Sequence, residues 1–178
     1  MDTEKKYFFL RFVVERKIIL IFAFALRALR YFRRCFVYTI AIMNKVESAL
    51  QRTTDTKALV IGVDTLPQTA EMFKSLFPAG RALVVADLNT WRVAGKEVHR
   101  ILAEAGVAQD EPHIFTDPKL YAEWTFVEEL DGVLAATDAV PVAVGSGVIN
   151  DLTKLCSHHN GRRYMVVGTA ASMDGYTA

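Results

Sequence analysis

The sequence predicts an α/β fold in which helices cover both faces of a parallel β-sheet. Short runs rich in Val, Ile, Leu and Ala alternate with longer segments whose apolar residues recur at helical spacing. Most junctions carry a Gly, Pro, Asp or Asn that ends one element or begins the next. Strands that alternate with helices of this length form right-handed βαβ units and lie side by side in a parallel sheet.

Five strands are predicted after residue 44. Each is a short apolar run, the sequence pattern of a strand buried inside a domain. The third run is the weakest of the five because it has only three residues. The predicted strands are 57–63, 81–86, 113–115, 140–144 and 164–167.

Helices are predicted in the intervals between these strands. Asp64 and Thr65 offer N-caps for the first, which runs through residue 77, and Asn89 and Thr90 offer caps for the second. Gly106 and Gly161 are suited to end helices. Residues 44–56 are interpreted as a short polar helix or leader, and the remaining helices are predicted at 117–137 and 149–159.

The charge distribution argues against a nucleic-acid-binding protein. The 178 residues have a net charge of +1, but residues 1–50 hold ten Lys/Arg against four Asp/Glu, and residues 51–178 hold eleven against sixteen. The globular part is therefore mildly acidic, whereas nucleic-acid-binding domains have basic surfaces. Cys35 and Cys156 show no disulfide or metal-binding spacing, so we expect a reducing, cytoplasmic setting.

Residues 1–43 form an apolar, basic extension that we expect to be helical. Its longest uncharged run before Arg27, residues 18–26, has nine residues, whereas a membrane-spanning helix needs about 20. Joining this run to the next one would bury four arginines. Three interpretations stay open: a helix that weakly contacts a membrane surface through residues 1–42, a partner-binding helix, or a non-native extension before a start at Met43. We favour the last of them.

One junction has the sequence of a phosphate-binding turn. The strand 140–144 ends at Gly145-Ser146-Gly147, and helix-compatible sequence containing Asn150 and Asp151 follows directly. A strand, a glycine turn and a helix N-terminus present free backbone N–H groups and a positive dipole end to an anion. A tight turn with a purely architectural role is an equally open interpretation, because short motifs often match by chance.

Two further strand ends carry polar side chains. Asp87 follows the strand 81–86, where its carboxylate can accept from ribose hydroxyls or cap the next helix. Residues 169–174 follow the strand 164–167 and supply hydroxyl groups and a carboxylate. Because carboxyl ends of parallel strands share one edge, the sequence predicts a Rossmann-like crevice for a nucleotide. The usual G-x-G turn after the first strand is absent.

These three junctions together resemble a known enzyme family. The segments Val-Ala-Asp87-Leu-Asn-Thr, Gly145-Ser-Gly-Val-Ile-Asn-Asp151-Leu-Thr-Lys and Thr169-Ala-Ala-Ser-Met-Asp174-Gly-Tyr look like the N-terminal domain of NAD(P)-dependent glycerol-1-phosphate dehydrogenases. That family belongs to the superfamily of iron-containing alcohol dehydrogenases and dehydroquinate-synthase-like enzymes. The resemblance runs from about residue 57 to the end of the chain and excludes residues 1–42.

The resemblance implies roles for individual residues and for bound groups. It implies a substrate contact by Asp174 and cofactor contacts by Asp87, Gly147, Val148, Ile149, Asn150, Asp151, Thr169, Ala170, Ala171 and Ser172. The implied cofactor is NAD or NADP, and a divalent metal, zinc or nickel, would polarise the substrate carbonyl. The implied reaction reduces dihydroxyacetone phosphate to sn-glycerol 1-phosphate in glycerophospholipid metabolism, and the implied intact enzyme is a homo-oligomer.

The sequence departs from the family pattern in two ways. The family's metal ligands, one Asp and two His, follow the substrate aspartate, mostly in a helical C-terminal domain. We therefore expect residues 44–178 to be a nucleotide-binding half that lacks this metal-binding domain and is inactive alone. A further cofactor-contacting Ser of the family is matched by Ala178. A non-catalytic nucleotide-binding module, a related polyol dehydrogenase and a dehydroquinate-synthase-like enzyme stay open as alternatives.

The other candidate residues have simpler interpretations. His158 and His159 are consecutive on a predicted helix, so their side chains diverge by about 100° and do not chelate one ion jointly. His113 is isolated in the sequence, which favours a structural role. Cys156 is predicted to be a small buried apolar residue, and Trp124 is predicted to be part of the core.

Overall fold

The computed structural model describes residues 8–14 (backbone only), 47–48, 50–52 and 56–170. Its strands are β1 Phe8–Val14, β2 Thr56–Val63, β3 Ala82–Asp87, β4 His113–Phe115, β5 Val140–Gly145 and β6 Met165–Gly168. Its helices are α1 Gln68–Leu76, α2 Leu88–Thr90, α3 Lys96–Glu104, α4 Trp124–Ala135 and α5 Gly147–His159. A π-helical turn, Trp91–Gly95, connects α2 to α3.

Four strands form the predicted parallel sheet, in the order β4-β3-β5-β6. The chain runs from β3 outward to β4 and then returns past β3 to β5. The direction of strand progression therefore reverses between β3 and β5. Open α/β sheets bind their ligands in the crevice that such a reversal creates at the carboxyl ends of the strands.

Helices cover both faces of this sheet, as predicted. Successive residues of a strand point to opposite faces. Ala82, Val84 and Ala86 pack with residues of α1 and α3, whereas Leu83 and Val85 pack with residues of α4 and α5. Each fully buried Val or Leu side chain contributes about 1.5–3 kcal/mol. Burial on both faces explains why these strands are continuous apolar runs rather than alternating ones.

Two glycines end helices where the sequence predicted. Gly106 and Gly161 follow α3 and α5 with φ values of 74° and 63°. Glycine adopts this left-handed conformation without a steric cost, and it turns the chain out of the helix. After Gly106, the N–H of Val107 donates to the carbonyl of Leu102 at 2.9 Å, which closes the helix end.

The predicted strand 57–63 lies outside the parallel sheet, contrary to expectation. It is β2, which pairs antiparallel with β1, with Phe8 opposite Val63. Most residues of β2 are only half-buried, whereas all but one in each of β3 and β5 are buried. An apolar run indicates a strand but does not identify its pairing partner. For β2 that partner lies more than 40 residues earlier in the chain.

The prediction of a helical extension is wrong for Phe8–Val14, which is a strand. The segment is rich in Phe and Val, and aromatic and β-branched residues favour strands. The rest of the extension lies outside the described residues. The membrane-surface and alternative-start interpretations therefore stay predictions. Within the part of the chain that the structure describes, no helix has the length and apolar character needed to cross a bilayer.

Two helix starts also differ from prediction. Helix α1 begins at Gln68 without a side-chain cap, and Asp64 instead adopts a left-handed backbone with φ 53°. Helix α4 begins at Trp124 rather than near Asp117, whose carboxylate accepts from the N–H of Lys119 in a local turn. Trp124 is 63% exposed, so its predicted place in the core is wrong.

Polar contacts connect the beginnings of three strands at the amino edge of the sheet. Arg81, before β3, donates to Asp138 at 2.7 Å, before β5, and pairs with Asp110 at 3.4 Å. Arg162, before β6, donates to the carbonyls of Ala139, at 3.1 Å, and Thr137. Exposed ion pairs contribute little, but a guanidinium that holds two carbonyls fixes the path of the chain.

Candidate functional site

The glycine turn lies at the reversal of strand order. Gly145 ends β5, and α5 begins at Gly147 after Ser146, whose side chain makes no capping hydrogen bond. The first helical bond runs from the N–H of Asn150 to the carbonyl of Ser146 at 3.0 Å. Among the described residues, the three preceding N–H groups, those of residues 147–149, have no partner. Three unpartnered donors at the positive end of a helix suit an anion.

Close packing fixes the path of this turn. A Cβ on Gly145 would lie 2.6 Å from the Cβ of Ile149, so only glycine fits between the strand end and the first turn of α5. Ile149 is itself 1% exposed and packs into the core. On the other side, the N–H of Thr169 donates to the carbonyl of Gly145 at 2.9 Å. The unpartnered N–H groups are therefore held by a rigid support.

Asp87 caps the helix that follows β3. Its Oδ1 accepts from the N–H groups of Asn89 at 2.7 Å and Thr90 at 2.8 Å, and Thr90 Oγ1 accepts from the N–H of Asp87 at 3.0 Å. This reciprocal arrangement is a capping box. The capping interpretation of Asp87 is therefore confirmed, and the cap lies two residues before Asn89, the first of the two predicted caps. Among the described residues, Oδ2 of Asp87 accepts no hydrogen bond, so it can still accept from a ligand.

The register of the sheet brings the three junctions to one edge. Val85 pairs with Ala143, so two residues further along each strand Asp87 lies level with Gly145. Gly145 pairs in turn with Gly168, which immediately precedes Thr169. Neighbouring strands are about 4.8 Å apart. The predicted convergence of Asp87, the glycine turn and Thr169 is therefore present. The ligand contacts of these residues stay predictions.

Of the other predicted site residues, some lie near this edge of the sheet and some lie outside the described residues. Ala170 follows Thr169 on the exposed side of this edge. Val148 is half-buried on the first turn of α5. Ala171, Ser172 and Asp174 lie outside the described residues, so their predicted cofactor and substrate contacts stay predictions.

A buried hydroxyl that the sequence did not reveal, that of Tyr164, supports the first turns of α5. Asn150, 1% exposed, accepts from the hydroxyl of Tyr164 at 3.4 Å and donates to Asp151 Oδ1 at 3.3 Å. Burial raises the pKa of Tyr164 well above its ordinary value, and the nearby Asp151 raises it further. Burial also raises the pKa of the Asp151 carboxyl, against the lowering effects of Asn150 and Lys154. The sequence signal for this contact is Tyr164 itself, a tyrosine that directly precedes the apolar strand β6.

A π-helical turn follows Asp87 and was also not predicted. The ring of Trp91 lies over Gly95, where an added Cβ would be 2.5 Å from Trp91 Cε3, and it contacts His99 edge-on at 5.9 Å. Single π-helical turns are frequent at functional sites. Here the turn carries Arg92, whose Nη2 donates to Asn89 Oδ1 at 3.2 Å.

The described residues do not fit a metal centre. Within them, no group of three or more His, Cys, Asp and Glu side chains could hold an ion. His159 Nδ1 lies 2.7 Å from Asp131 Oδ2, an arrangement between helices α5 and α4. His113 Nε2 lies 3.3 Å from Glu129 Oε1, and burial lowers the pKa of His113 despite that carboxylate.

Cys156 has no reactive environment. The residue is fully buried, and its Sγ lies 3.5 Å from the carbonyl of Val127, which confirms its prediction as a buried apolar residue. Burial, with a further contribution from Asp131, raises the pKa of the thiol to about 12. Since the thiolate is the nucleophilic form, this cysteine is not a candidate nucleophile.

An open helix N-terminus and a carboxylate at the strand reversal of a parallel sheet define an α/β domain with its ligand site at the carboxyl edge. The model of the family "Iron-containing alcohol dehydrogenase" matches residues 60–178. The match covers more than half of the chain, and the chain belongs to this family.

Curated glycerol-1-phosphate dehydrogenases [NAD(P)+] are similar to this chain. The Bacillus licheniformis enzyme is 29% identical over 127 residues, which cover 67% of this chain and 30% of that enzyme. The Pyrococcus furiosus enzyme is 30% identical over 120 residues, covering 67% and 33% respectively. The Methanosarcina mazei enzyme is 34% identical over 121 residues, covering 66% and 32%. The chain thus spans about a third of the length of these relatives.

A solved structure is also similar. It is the crystal structure of a probable glycerol dehydrogenase from Sinorhizobium meliloti 1021, with a TM-score of 0.49 and 21% sequence identity. The match covers 62% of this chain and 28% of that chain.

Proposed function

We propose that this chain provides the nucleotide-binding part of an NAD(P)-dependent glycerol-1-phosphate dehydrogenase. The observation that carries the proposal is the set of three N–H groups of residues 147–149, which have no partner among the described residues. They lie at the start of α5, directly after the strand that pairs with the strand of Asp87. The names of the similar curated enzymes support glycerol 1-phosphate as a substrate, and the family resemblance implies dihydroxyacetone phosphate as its oxidised counterpart.

The described residues fit a dinucleotide. The N–H groups of Gly147, Val148 and Ile149 would donate to the pyrophosphate, and the helix dipole would favour its charge. The free Oδ2 of Asp87 would accept from ribose hydroxyls while Oδ1 continues to cap α2. Thr169, hydrogen-bonded beside the turn, would close one side of the site. The bound cofactor supplies the hydride, and the protein supplies position and electrostatic field.

The family name implies a bound metal. The described residues offer no group of side chains that could hold an ion, so none of them is proposed as a metal ligand. We also propose that the metal is zinc or nickel and that Asp174 contacts the substrate. We propose that the intact enzyme is a homo-oligomer. We propose a cytoplasmic location for this enzyme as well.

Removing one backbone donor tests the proposal directly. Proline lacks an N–H but is tolerated in the first turn of a helix, where the N–H has no helical partner. Val148→Pro therefore removes one proposed phosphate donor, while Val148→Ala removes the side chain and keeps the donor. A lost hydrogen bond to a charged group costs about 1.5–3 kcal/mol, so NADH should bind roughly 10- to 100-fold more weakly to Val148→Pro.

The measurement is a fluorescence titration with NADH, with thermal melting as the check that each variant is folded. Equal affinities for Val148→Pro and Val148→Ala would contradict the assignment of the phosphate site. No detectable NADH binding to the unaltered chain would contradict the proposed function as a whole.

The substrate assignment needs a separate turnover measurement on the protein as it occurs in the cell. We expect NADH oxidation with dihydroxyacetone phosphate to exceed that with dihydroxyacetone. The opposite preference would favour the alternative of a polyol dehydrogenase.

A further inference from the structure

Arg92 is held close to the ribose side of the proposed nucleotide site. It lies on the π-helical turn that follows α2, and its Nη2 donates to Asn89 Oδ1 at 3.2 Å. Asn89 is also the residue whose N–H donates to Asp87. The guanidinium is therefore directed back along the helix toward the end that Asp87 caps.

The charge of Arg92 is not neutralised by the described residues. Two arginines elsewhere pair with carboxylates: Arg81 with Asp138 at 2.7 Å, and Arg100 with Glu97 at 2.6 Å. In contrast, the hydrogen bond of Arg92 goes to the neutral amide of Asn89. A guanidinium has five N–H donors in a planar fork, so Arg92 keeps enough of them for a bidentate contact with a phosphate.

The negative charge of the Asp87 carboxylate is partly offset by hydrogen bonds within the protein. An acidic residue at the end of this strand normally accepts from the ribose 2′-hydroxyl of NAD and would repel the 2′-phosphate of NADP. Two N–H groups already donate to Oδ1 of Asp87, at 2.7 and 2.8 Å, and they offset part of its charge. A nearby arginine is the group that accommodates a 2′-phosphate in related folds. The chain has both groups within six consecutive positions, 87–92.

We propose that Arg92 binds the ribose 2′-phosphate of NADP and thereby lets one site accept both dinucleotides. The proposal rests on the proposed function, because it assumes that the ribose lies at Asp87. It assigns the cofactor selectivity of the site to an exposed side chain.

The test compares the affinities of NADPH and NADH, measured by fluorescence titration, for three variants. For Arg92→Gln we expect NADPH affinity to fall roughly tenfold or more and NADH affinity to change less than about twofold, since charged hydrogen bonds are lost only for NADPH. Arg92→Lys should be intermediate, because lysine keeps the charge but loses the bidentate fork. Arg100→Gln is the matched control, an exposed arginine on the same helical segment, and should change neither affinity.

The outcomes separate this proposal from the proposed function. If Arg92→Gln weakens both dinucleotides equally, Arg92 contacts a group that they share, and the proposal is wrong. If neither affinity changes in Arg92→Gln while the unaltered chain binds both dinucleotides, the proposal is wrong and the nucleotide site stands. If the unaltered chain binds neither dinucleotide, the proposed function itself fails. Melting temperatures of all three variants show whether folding has changed.

Discussion

Replacing Gly145 by alanine should destabilise the protein and distort the glycine turn. The added Cβ would lie 2.6 Å from Ile149 Cβ, 2.8 Å from its Cγ1 and 3.0 Å from its Cγ2. Gly145 does not have a left-handed φ, so the cost arises from this contact and not from the backbone. Forcing an extra carbon into a well-packed core costs about 1–3 kcal/mol. For a chain of this size that lowers the melting temperature by roughly 2–12 °C.

Gly132→Ala is the matched control for this prediction. Gly132 lies inside α4, and nothing is within 4 Å of an added Cβ. Alanine in a helix interior is favoured over glycine by about 1 kcal/mol, so the melting temperature should rise. The double variant Gly145→Ala/Ile149→Ala should not recover stability, because the Cβ of residue 149 remains in place.

Thermal unfolding monitored by circular dichroism measures both effects, and NADH titration reports on the turn. We expect the open N–H groups to move with the first turn of α5, so Gly145→Ala should also weaken NADH binding. A Gly145→Ala protein that melts as high as wild type and binds NADH equally would refute the packing argument. Recovery in the double variant would place the clash on the Cγ atoms instead.

Three further predictions concern single residues. Asp87→Ala should cost about 1 kcal/mol by removing a helix cap, and Asp87→Asn, which keeps an acceptor, should recover most of it in a thermal melt. Burial lowers the pKa of His113 below 6.5, so stability should decline as the pH falls below 6.5, where the unfolded chain takes up the proton first. His113→Gln should flatten that profile, and an unchanged slope would contradict the assignment. Cys156 should resist iodoacetamide at pH 8 in the native protein and react in urea, as read from its peptide by mass spectrometry.

The strands of the parallel sheet could be predicted because each is buried on both faces. The run 81–86 became Ala82–Asp87, and 140–144 became Val140–Gly145, with shifts of one residue. In contrast, the run 57–63 was placed in the wrong sheet. The sequence of this run shows that it is apolar. Its pairing depends on contacts with Phe8–Val14, which is distant in the sequence.

The site was predictable where it depends on local chemistry. A glycine turn after a strand and an acid at a strand end are visible in the sequence, and parallel topology brings them together. Tyr164 and Arg92 were not predicted, because their roles depend on contacts that local sequence does not specify. Tyr164 donates to Asn150 on the adjacent helix, and Arg92 is oriented by a π-helical turn that propensities do not indicate.

The guanidinium groups of Arg81 and Arg162 connect the beginnings of three strands, at the edge of the sheet away from the glycine turn. Loops at the carboxyl edge can therefore change without breaking those connections. Selection can alter ligand preference through an exposed side chain such as Arg92 without breaking those connections. A substitution at Arg162 acts in the opposite way, since it lowers the abundance of the protein and leaves the affinity of each folded molecule unchanged. In this domain, an exposed side chain at the carboxyl edge can therefore change without disturbing the contacts of Arg81 and Arg162, which stabilise the fold at the amino edge.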